Sequence, residues 1–211
     1  MIKAIFWDND GVLVDTERLY FQATRDIMTA AGVPLTEADY REYFLRQGLG
    51  AWHLIPGVSD EQVALLRRTR NDRYSELLRQ QACAIDGAAD TLAALHGNYV
   101  MGIVTSSRRD HFDLIHERCD LLRYVDFVLT AADLSRVKPN PDPYLMAIAR
   151  SGVDPAECIA IEDSERGLQV ATAAGIRCIV IPTPLTRGGD FAAAVRVVDR
   201  VEDVPAALEN L

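Results

Sequence analysis

Apolar, β-favouring runs of three to six residues recur along this chain, each closing at a polar residue or a turn: Ile2 to Trp7, Val100 to Val104, Phe127 to Leu129, Cys158 to Ile161, Ile176 to Ile181 and Val195 to Val198. Short runs that are apolar throughout, rather than alternating, fit strands buried on both faces. Between most of them apolar positions recur at helical spacing, over Ala88 to Leu95, Asp110 to Cys119, Pro143 to Arg150 and Arg166 to Ala174. Strands alternating with helices predict βαβ units. The expected fold is therefore α/β, a Rossmann-like parallel sheet with helices on both faces, with ligands bound at the carboxyl ends of its strands.

The alternation breaks from about Glu17 to Gln81, where the pattern is helical throughout. Helices are predicted over Arg18 to Ala31, Glu37 to Leu45, Asp60 to Leu66 and Arg70 to Gln80, with Gly32-Val33-Pro34, Gly48-Leu49-Gly50 and Pro56-Gly57 as separators. That insertion is too long for an ordinary loop. The expected organisation is a core domain of residues 1–16 and 82–211 with a small all-helical domain of residues 17–81, hinged near Val12 to Thr16 and Ala82 to Asp86.

With 49% hydrophobic and 25% charged residues among 211, the chain can bury a sizeable core and is not disordered. A net charge of -9 argues against a nucleic-acid partner, which needs lysine and arginine to neutralise phosphates. Cys83, Cys119, Cys158 and Cys178 are too scattered for a zinc site. No signal-peptide pattern and no membrane-length apolar run is present, so a cytoplasmic protein without a membrane partner is expected, as a monomer or homodimer.

Four short segments at or beside the predicted strand ends carry candidate chemistry. Asp8-Asn9-Asp10-Gly11 closes the first strand; two carboxylates there can divide labour, Asp8 as nucleophile and metal ligand, Asp10 as general acid and then base. In isolation the same residues make a polar turn. Thr105 and the neighbouring Ser106 follow Val104, where a hydroxyl and backbone N–H groups can hold a phosphoryl oxygen, or where Ser106 or Ser107 caps the next helix. Lys138 sits in the proline-rich Val137-Lys138-Pro139-Asn140-Pro141, a stiff loop that can aim one ammonium at a phosphoryl group or leave it solvated. Glu162-Asp163 ends another buried strand, where acids are costly unless they meet a cation or cap a helix. Together the segments point to phosphoryl transfer with Mg2+ held by the Asp8 and Asp163 side chains and the Asp10 carbonyl, Glu162 standing behind them. Arg46 and Arg108 are candidates for an anionic substrate, and Trp52 and His53 for substrate contact from a loop of the helical segment.

These motifs resemble those of the haloacid dehalogenase superfamily over nearly the whole chain. Phe6-Trp7-Asp8-Asn9-Asp10-Gly11-Val12-Leu13 is similar to that family's first motif, Thr105 to its second, Lys138-Pro139 to its third and Glu162-Asp163-Ser164 to its fourth. The resemblance is closest to the C1-capped group of β-phosphoglucomutase, phosphoglycolate phosphatase and sugar-phosphate phosphatases, and it implies a lid that closes over the crevice. Asn9 departs from the pattern, since relatives carry an apolar residue there, and a buried Asn9 needs hydrogen-bond partners. Tyr20 stands where the mutase has a histidine. Gln47-Gly48-Leu49-Gly50-Ala51-Trp52 replaces the mutase's Lys-Gly pair and following arginine.

The reading that follows is a magnesium-dependent phosphatase acting on a small phosphorylated metabolite, a sugar phosphate or similar monoester, through an aspartyl-phosphate on Asp8. A phosphomutase is the alternative within the same chemistry. A noncatalytic binding or regulatory protein on the same fold is the alternative of another class.

Overall fold

The computed structural model describes residues 1–209 and Leu211. Its centre is a six-stranded sheet of β1 (Ala4–Trp7), β2 (Val100–Val104), β3 (Phe127–Leu129), β4 (Cys158–Glu162), β5 (Arg177–Val180) and β6 (Arg196–Val197). The order is β3-β2-β1-β4-β5-β6, and every pairing is parallel. The chain leaves β1 on one side for β2 and β3 and crosses back to the other for β4, so the strand order reverses beside β1, the usual place for a ligand crevice. Trp7 is in register with Ile103 of β2 and Ile161 of β4. The residues just beyond, Asp8, Val104 and Glu162, therefore emerge level with one another.

The helices are α1 (Glu17–Ala30), α2 (Glu37–Tyr40), α3 (Asp60–Gln81), α4 (Ala88–Leu95), α5 (Arg109–His116), α6 (Asp142–Ser151), α7 (Glu165–Ala173) and α8 (Val204–Leu208). Alternate strand residues face opposite layers, as the two-residue period demands. Ile5, Trp7, Met101, Ile103, Ile159 and Ile161 pack with Leu92 of α4, Phe112 and Ile115 of α5, and Val204 of α8. Ala4, Phe6, Ala160, Cys178 and Val180 pack with Tyr144 and Ala147 of α6 and Leu168 and Ala171 of α7. Both faces are covered, which is why the strands read as continuous apolar runs. The α/β fold class is as expected, with a short C-terminal α8 that lacked a long enough periodic run to be recognised.

Between β1 and β2 the chain is helical. The two helices predicted over Asp60 to Leu66 and Arg70 to Gln80 are one 22-residue helix, α3. Arg67-Arg68-Thr69 interrupts the apolar pattern but contains no glycine or proline, so the backbone ladder continues. Ser59 opens α3 with a capping box to Gln62. The helix predicted over Glu37 to Leu45 starts as α2, capped by Thr36, and widens into a π-helical stretch, Arg41–Arg46.

Met28, Leu35, Tyr40, Ala51 and Trp52 form an apolar cluster separate from the two sheet layers. Leu19 and Ala23 of α1 and Tyr74, Leu77 and Leu78 of α3 instead join the layer that holds α5. The two connections to the sheet region run side by side: Asp15 N–H donates to the Cys83 carbonyl at 3.0 Å and Ile85 N–H to the Leu13 carbonyl at 2.9 Å. Among the described residues no helix is long and apolar enough to cross a membrane.

Candidate active site

Asp8 leaves β1 with its N–H bound to the Ile161 carbonyl at 2.8 Å, which ties the loop to β4 just as the strand ends. Lys138 reaches the same point from the loop before α6. Its Nζ donates to Asp8 Oδ1 at 2.8 Å, to Glu162 Oε1 at 2.6 Å and to the Val104 carbonyl at 3.1 Å. One ammonium thus braces the ends of β1, β2 and β4. Tyr144 of α6 donates a further hydrogen bond to Glu162 Oε1 at 2.5 Å. Glu162 also lies against Gly167 of α7, where a Cβ would overlap its carboxylate.

Asp8, Glu162 and Asp163 each place a carboxylate oxygen within 4.8 Å of the others. Asp8 is raised to about 7, by burial above all, with Lys138 opposing the rise and Glu162 and Asp10 adding to it. Burial, followed by the charges of Asp8, Glu17 and Glu162, holds Asp163 well above the usual carboxylate range. Burial opposes the charge of Lys138, but Asp8 and Glu162 outweigh it and raise its pKa above the ordinary lysine value. The protein supplies too little positive charge here for its acids, which is the electrostatic signature of a cation site. Hard carboxylate oxygens suit magnesium. Glu162 is engaged by both Lys138 and Tyr144, while Lys138 holds Asp8 at Oδ1 only, so Asp8 and Asp163 are the carboxylates that could hold a metal. Gly11, at φ +84°, lets the loop pass Asp163: a Cβ there would lie 2.8 Å from Asp163 Oδ2.

Asp10 is held differently. Thr16 Oγ1 donates to its Oδ1 at 2.5 Å, and Ser107 Oγ at 2.6 Å, Thr105 Oγ1 at 3.2 Å and Asn9 Nδ2 at 3.4 Å approach its Oδ2. Every one of these donors is neutral. Thr105 also accepts from Ser107 N–H at 3.0 Å. Neither Ser106 nor Ser107 caps α5, which has Arg108 at its cap and no side-chain cap bond. Ser106 Oγ is buried without a hydrogen-bond partner among the described residues. Ser164, not Asp163, caps α7, accepting from Gly167 N–H.

A cavity of about 320 Å³ joins these groups to the helical segment. Asp8, Asp10, Thr105, Ser106, Arg108, Lys138, Glu162 and Asp163 all line it. Arg108 is forked onto Asp110, at 2.9 and 2.7 Å. Arg46 lines a neighbouring cleft of about 260 Å³ instead, paired there with Glu42 and Glu165. Trp52 is buried in the helical segment's own cluster, and exposed His53 meets the edge of the Tyr43 ring; neither lines either cleft.

Other residues that the sequence reading did not single out also line the larger cavity: Glu17, Tyr40, Arg70, Asn71 and Tyr74 of the helical segment, which form part of its roof, and His111 of α5 and Arg166 of α7, with Tyr20 noted only as a departure. Arg70 is buried, with 8% exposed. It donates to Asn71 Oδ1 at 2.9 Å, lies 4.3 Å over the Tyr20 ring, and forms no ion pair among the described residues. Tyr40 donates to Glu17 Oε1 at 2.5 Å, and burial above all raises the Glu17 pKa. The available signal was Arg70 placed one helical turn from Leu66 on one side and from Tyr74 on the other.

Comparison with known proteins decides the family. A family model of haloacid dehalogenase-like hydrolases matches residues 5–181. The chain belongs to that family. It is 32% identical to Protein CbbY of Rhodobacter capsulatus, over 98% of this chain and 95% of that one. It is 30% identical to the phosphorylated carbohydrates phosphatase of Thermotoga maritima, over 84% of each. A mutant CbbY of Rhodobacter sphaeroides, solved in complex with xylulose-(1,5)bisphosphate, superposes with a TM-score of 0.79 at 27% identity, over 96% of each chain. As a member of this hydrolase family the chain is an enzyme, and the noncatalytic alternative falls away.

Proposed function

We propose that this hydrolase cleaves the phosphate monoester of a small sugar through an aspartyl-phosphate on Asp8. The observation that carries the proposal is the bracing of Asp8 by Lys138 beside an uncompensated pair of acids, with Asp10 held separately by neutral donors. Lys138 occupies Asp8 Oδ1, leaving Oδ2 to attack phosphorus. The bond from phosphorus to the sugar oxygen breaks, and Asp10, as the acid, gives that oxygen its proton. Asp10, now a carboxylate, takes a proton from water as the water oxygen attacks phosphorus. The acyl phosphate opens, phosphate leaves, and Asp8 returns as a carboxylate. The unpartnered Ser106 hydroxyl and Lys138 hold the phosphoryl oxygens.

Asp8 and Asp163, with the Asp10 carbonyl, are the residues we assign to Mg2+, and Glu162 is the group that anchors Lys138 behind them. The bound cation supplies charge neutralisation, which also lets buried Asp8 ionise. The helical segment of residues 17–81 acts as a lid, with the paired connections at Asp15–Cys83 and Leu13–Ile85 as its hinge.

Arg70 of α3 and Arg166 of α7 both line the cavity, so the end of the substrate remote from the reacting phosphate carries hydroxyl or anionic groups. A sugar phosphate, including a sugar bisphosphate of the kind bound by the CbbY mutant, satisfies that requirement. The phosphomutase alternative is not favoured, since a phosphatase of phosphorylated carbohydrates is among the similar proteins and Gln47-Gly48-Leu49-Gly50-Ala51-Trp52 stands where the mutase carries its Lys-Gly pair and following arginine. With no membrane-spanning helix among the described residues, a cytoplasmic sugar-phosphate pool is the proposed setting.

A screen of sugar mono- and bisphosphates with magnesium, reading released phosphate, tests the proposal. In oxygen-18 water the label should enter phosphate steadily without a bisphosphate primer. Primer-dependent isomerisation of a sugar phosphate, faster than any hydrolysis, would reverse the assignment.

A further inference from the structure

Asn9 is fully buried between the two carboxylates of its own loop, at a position where an apolar side chain would need no partner. Its Oδ1 lies 2.9 Å from His116 Nε2, in the last turn of α5, and its Nδ2 lies 3.4 Å from Asp10 Oδ2. The amide has only one orientation that serves both neighbours. Its oxygen must face the ring N–H and its nitrogen the carboxylate, which makes His116 Nε2 the donor. His116 Nδ1 is buried without a hydrogen-bond partner among the described residues, which places the ring's N–H on Nε2, and burial above all lowers the His116 pKa, against the Cys119 backbone and the Asp10 and Asp113 charges. Phe112, with its ring centre 4.3 Å from that of His116, fixes the imidazole in place.

We infer that Asn9 and His116 are a positioning pair that holds the Asp10 carboxylate at the angle its proton transfers require. The inference rests on the phosphatase reading of Asp10. The other donors to Asp10, from Thr16, Thr105 and Ser107, are hydroxyls, whose protons swing to follow a moving carboxylate. The Asn9 amide cannot swing without abandoning His116. The same residue's carbonyl accepts from Leu13 N–H at 2.9 Å and Val14 N–H at 3.1 Å, so the loop is pinned on its other side as well. Asn9 and His116 depend on each other: an apolar residue in place of either leaves a buried polar group unpaired.

The test compares kcat/KM for an alkyl ester, glucose 6-phosphate or the best sugar phosphate found, with that for p-nitrophenyl phosphate. This ratio reports the first chemical step, in which only the alkoxide needs a proton. His116→Phe should lower kcat/KM for the alkyl ester about five- to tenfold, the value of one positioned hydrogen bond, and leave the aryl ester within about twofold. His116→Gln, which retains an N–H donor, should recover most of the loss. Asn9→Leu combined with His116→Phe should be no worse than the more damaging single change.

Equal losses on both esters, a Gln variant no better than Phe, or a lowered melting temperature with unchanged alkyl kcat/KM would each overturn the pair's role. If His116→Phe does not fold, His116→Leu against His116→Gln reads the same contrast. Wild-type enzyme that hydrolyses neither ester would overturn the phosphatase reading itself, and this inference with it. Wild-type turnover that depends on Asp8 but is untouched in the His116 variants would overturn the inference alone.

Discussion

The floor of the crevice and its roof are built on different principles. On the floor, Lys138 alone joins Asp8, Glu162 and the Val104 carbonyl, and with them the ends of β1, β2 and β4. Its groups are buried, charged and cross-braced, so none moves without disturbing the others. On the roof, Arg70 and Asn71 come from one helix, α3, Glu17 and Tyr20 from another, α1, and Arg70 has no counter-charge among the described residues. Preorganised charge suits the reacting phosphate, which is the same in every ester, whereas a cation without an ion pair, carried by the helical insertion, suits the variable end of a substrate. Damage to the floor should therefore appear in kcat, and damage to the roof in KM.

The largest effect expected is from Asp8→Asn, which keeps the shape but cannot form the acyl phosphate. Turnover should fall at least about a thousandfold while circular dichroism stays unchanged. Substantial remaining activity would move the nucleophile elsewhere. Chelation should remove activity to a similar degree and magnesium restore it; full activity in chelator would leave Asp163 without its assigned role.

Asp10→Ala should cost roughly a hundredfold in kcat on sugar phosphates, and much less in the first step with aryl phosphates. Arg70→Leu tests the roof. It should raise KM about tenfold or more for a substrate with a remote anionic group while kcat changes little, the expected loss of one charge-assisted hydrogen bond. A fall in kcat at constant KM would mean that roof and floor act as one unit.

The smallest effect concerns stability. Asp8 is raised to about 7 by burial, so the folded protein holds a proton there that the unfolded chain gives up near pH 4. The stability this supplies to the metal-free protein is fully present below about pH 4 and is lost as pH rises to about 7, by roughly 2–4 kcal/mol at most. The raised pKa of Asp163 acts in the same direction. Urea unfolding of metal-free protein at pH 5 and pH 8 should show the loss, and magnesium should abolish it by favouring the ionised carboxylates. A metal-free protein more stable at pH 8 would contradict the uncompensated floor.

The strands were legible in the sequence because both faces of the sheet are covered, so Val100–Val104 and Phe127–Leu129 are apolar throughout and stop where predicted. That Asp8, Asp10, Thr105, Lys138 and Asp163 meet at one cavity was legible because each lies within three residues of the end of such a run or in a proline-stiffened loop beside one. The division of α3 was misread because Arg67-Arg68-Thr69 obscures the apolar pattern without breaking the backbone. Trp52 and His53 looked like site residues from their place in a loop, yet one fills a core and the other an outer surface.

Local order in the chain was thus enough to determine the sheet, its strand ends and the acids and lysine placed there, since these follow from periodicity and from the neighbours of each run. Only the tertiary structure decided which side chains complete the site. Ser107 and Thr16 reach Asp10, Tyr144 reaches Glu162, His116 reaches Asn9 and Arg70 reaches the cavity across 18 to 107 positions of sequence, Thr16 excepted. Such partners are chosen by how helices pack on a sheet, and no spacing within the chain encodes that distance.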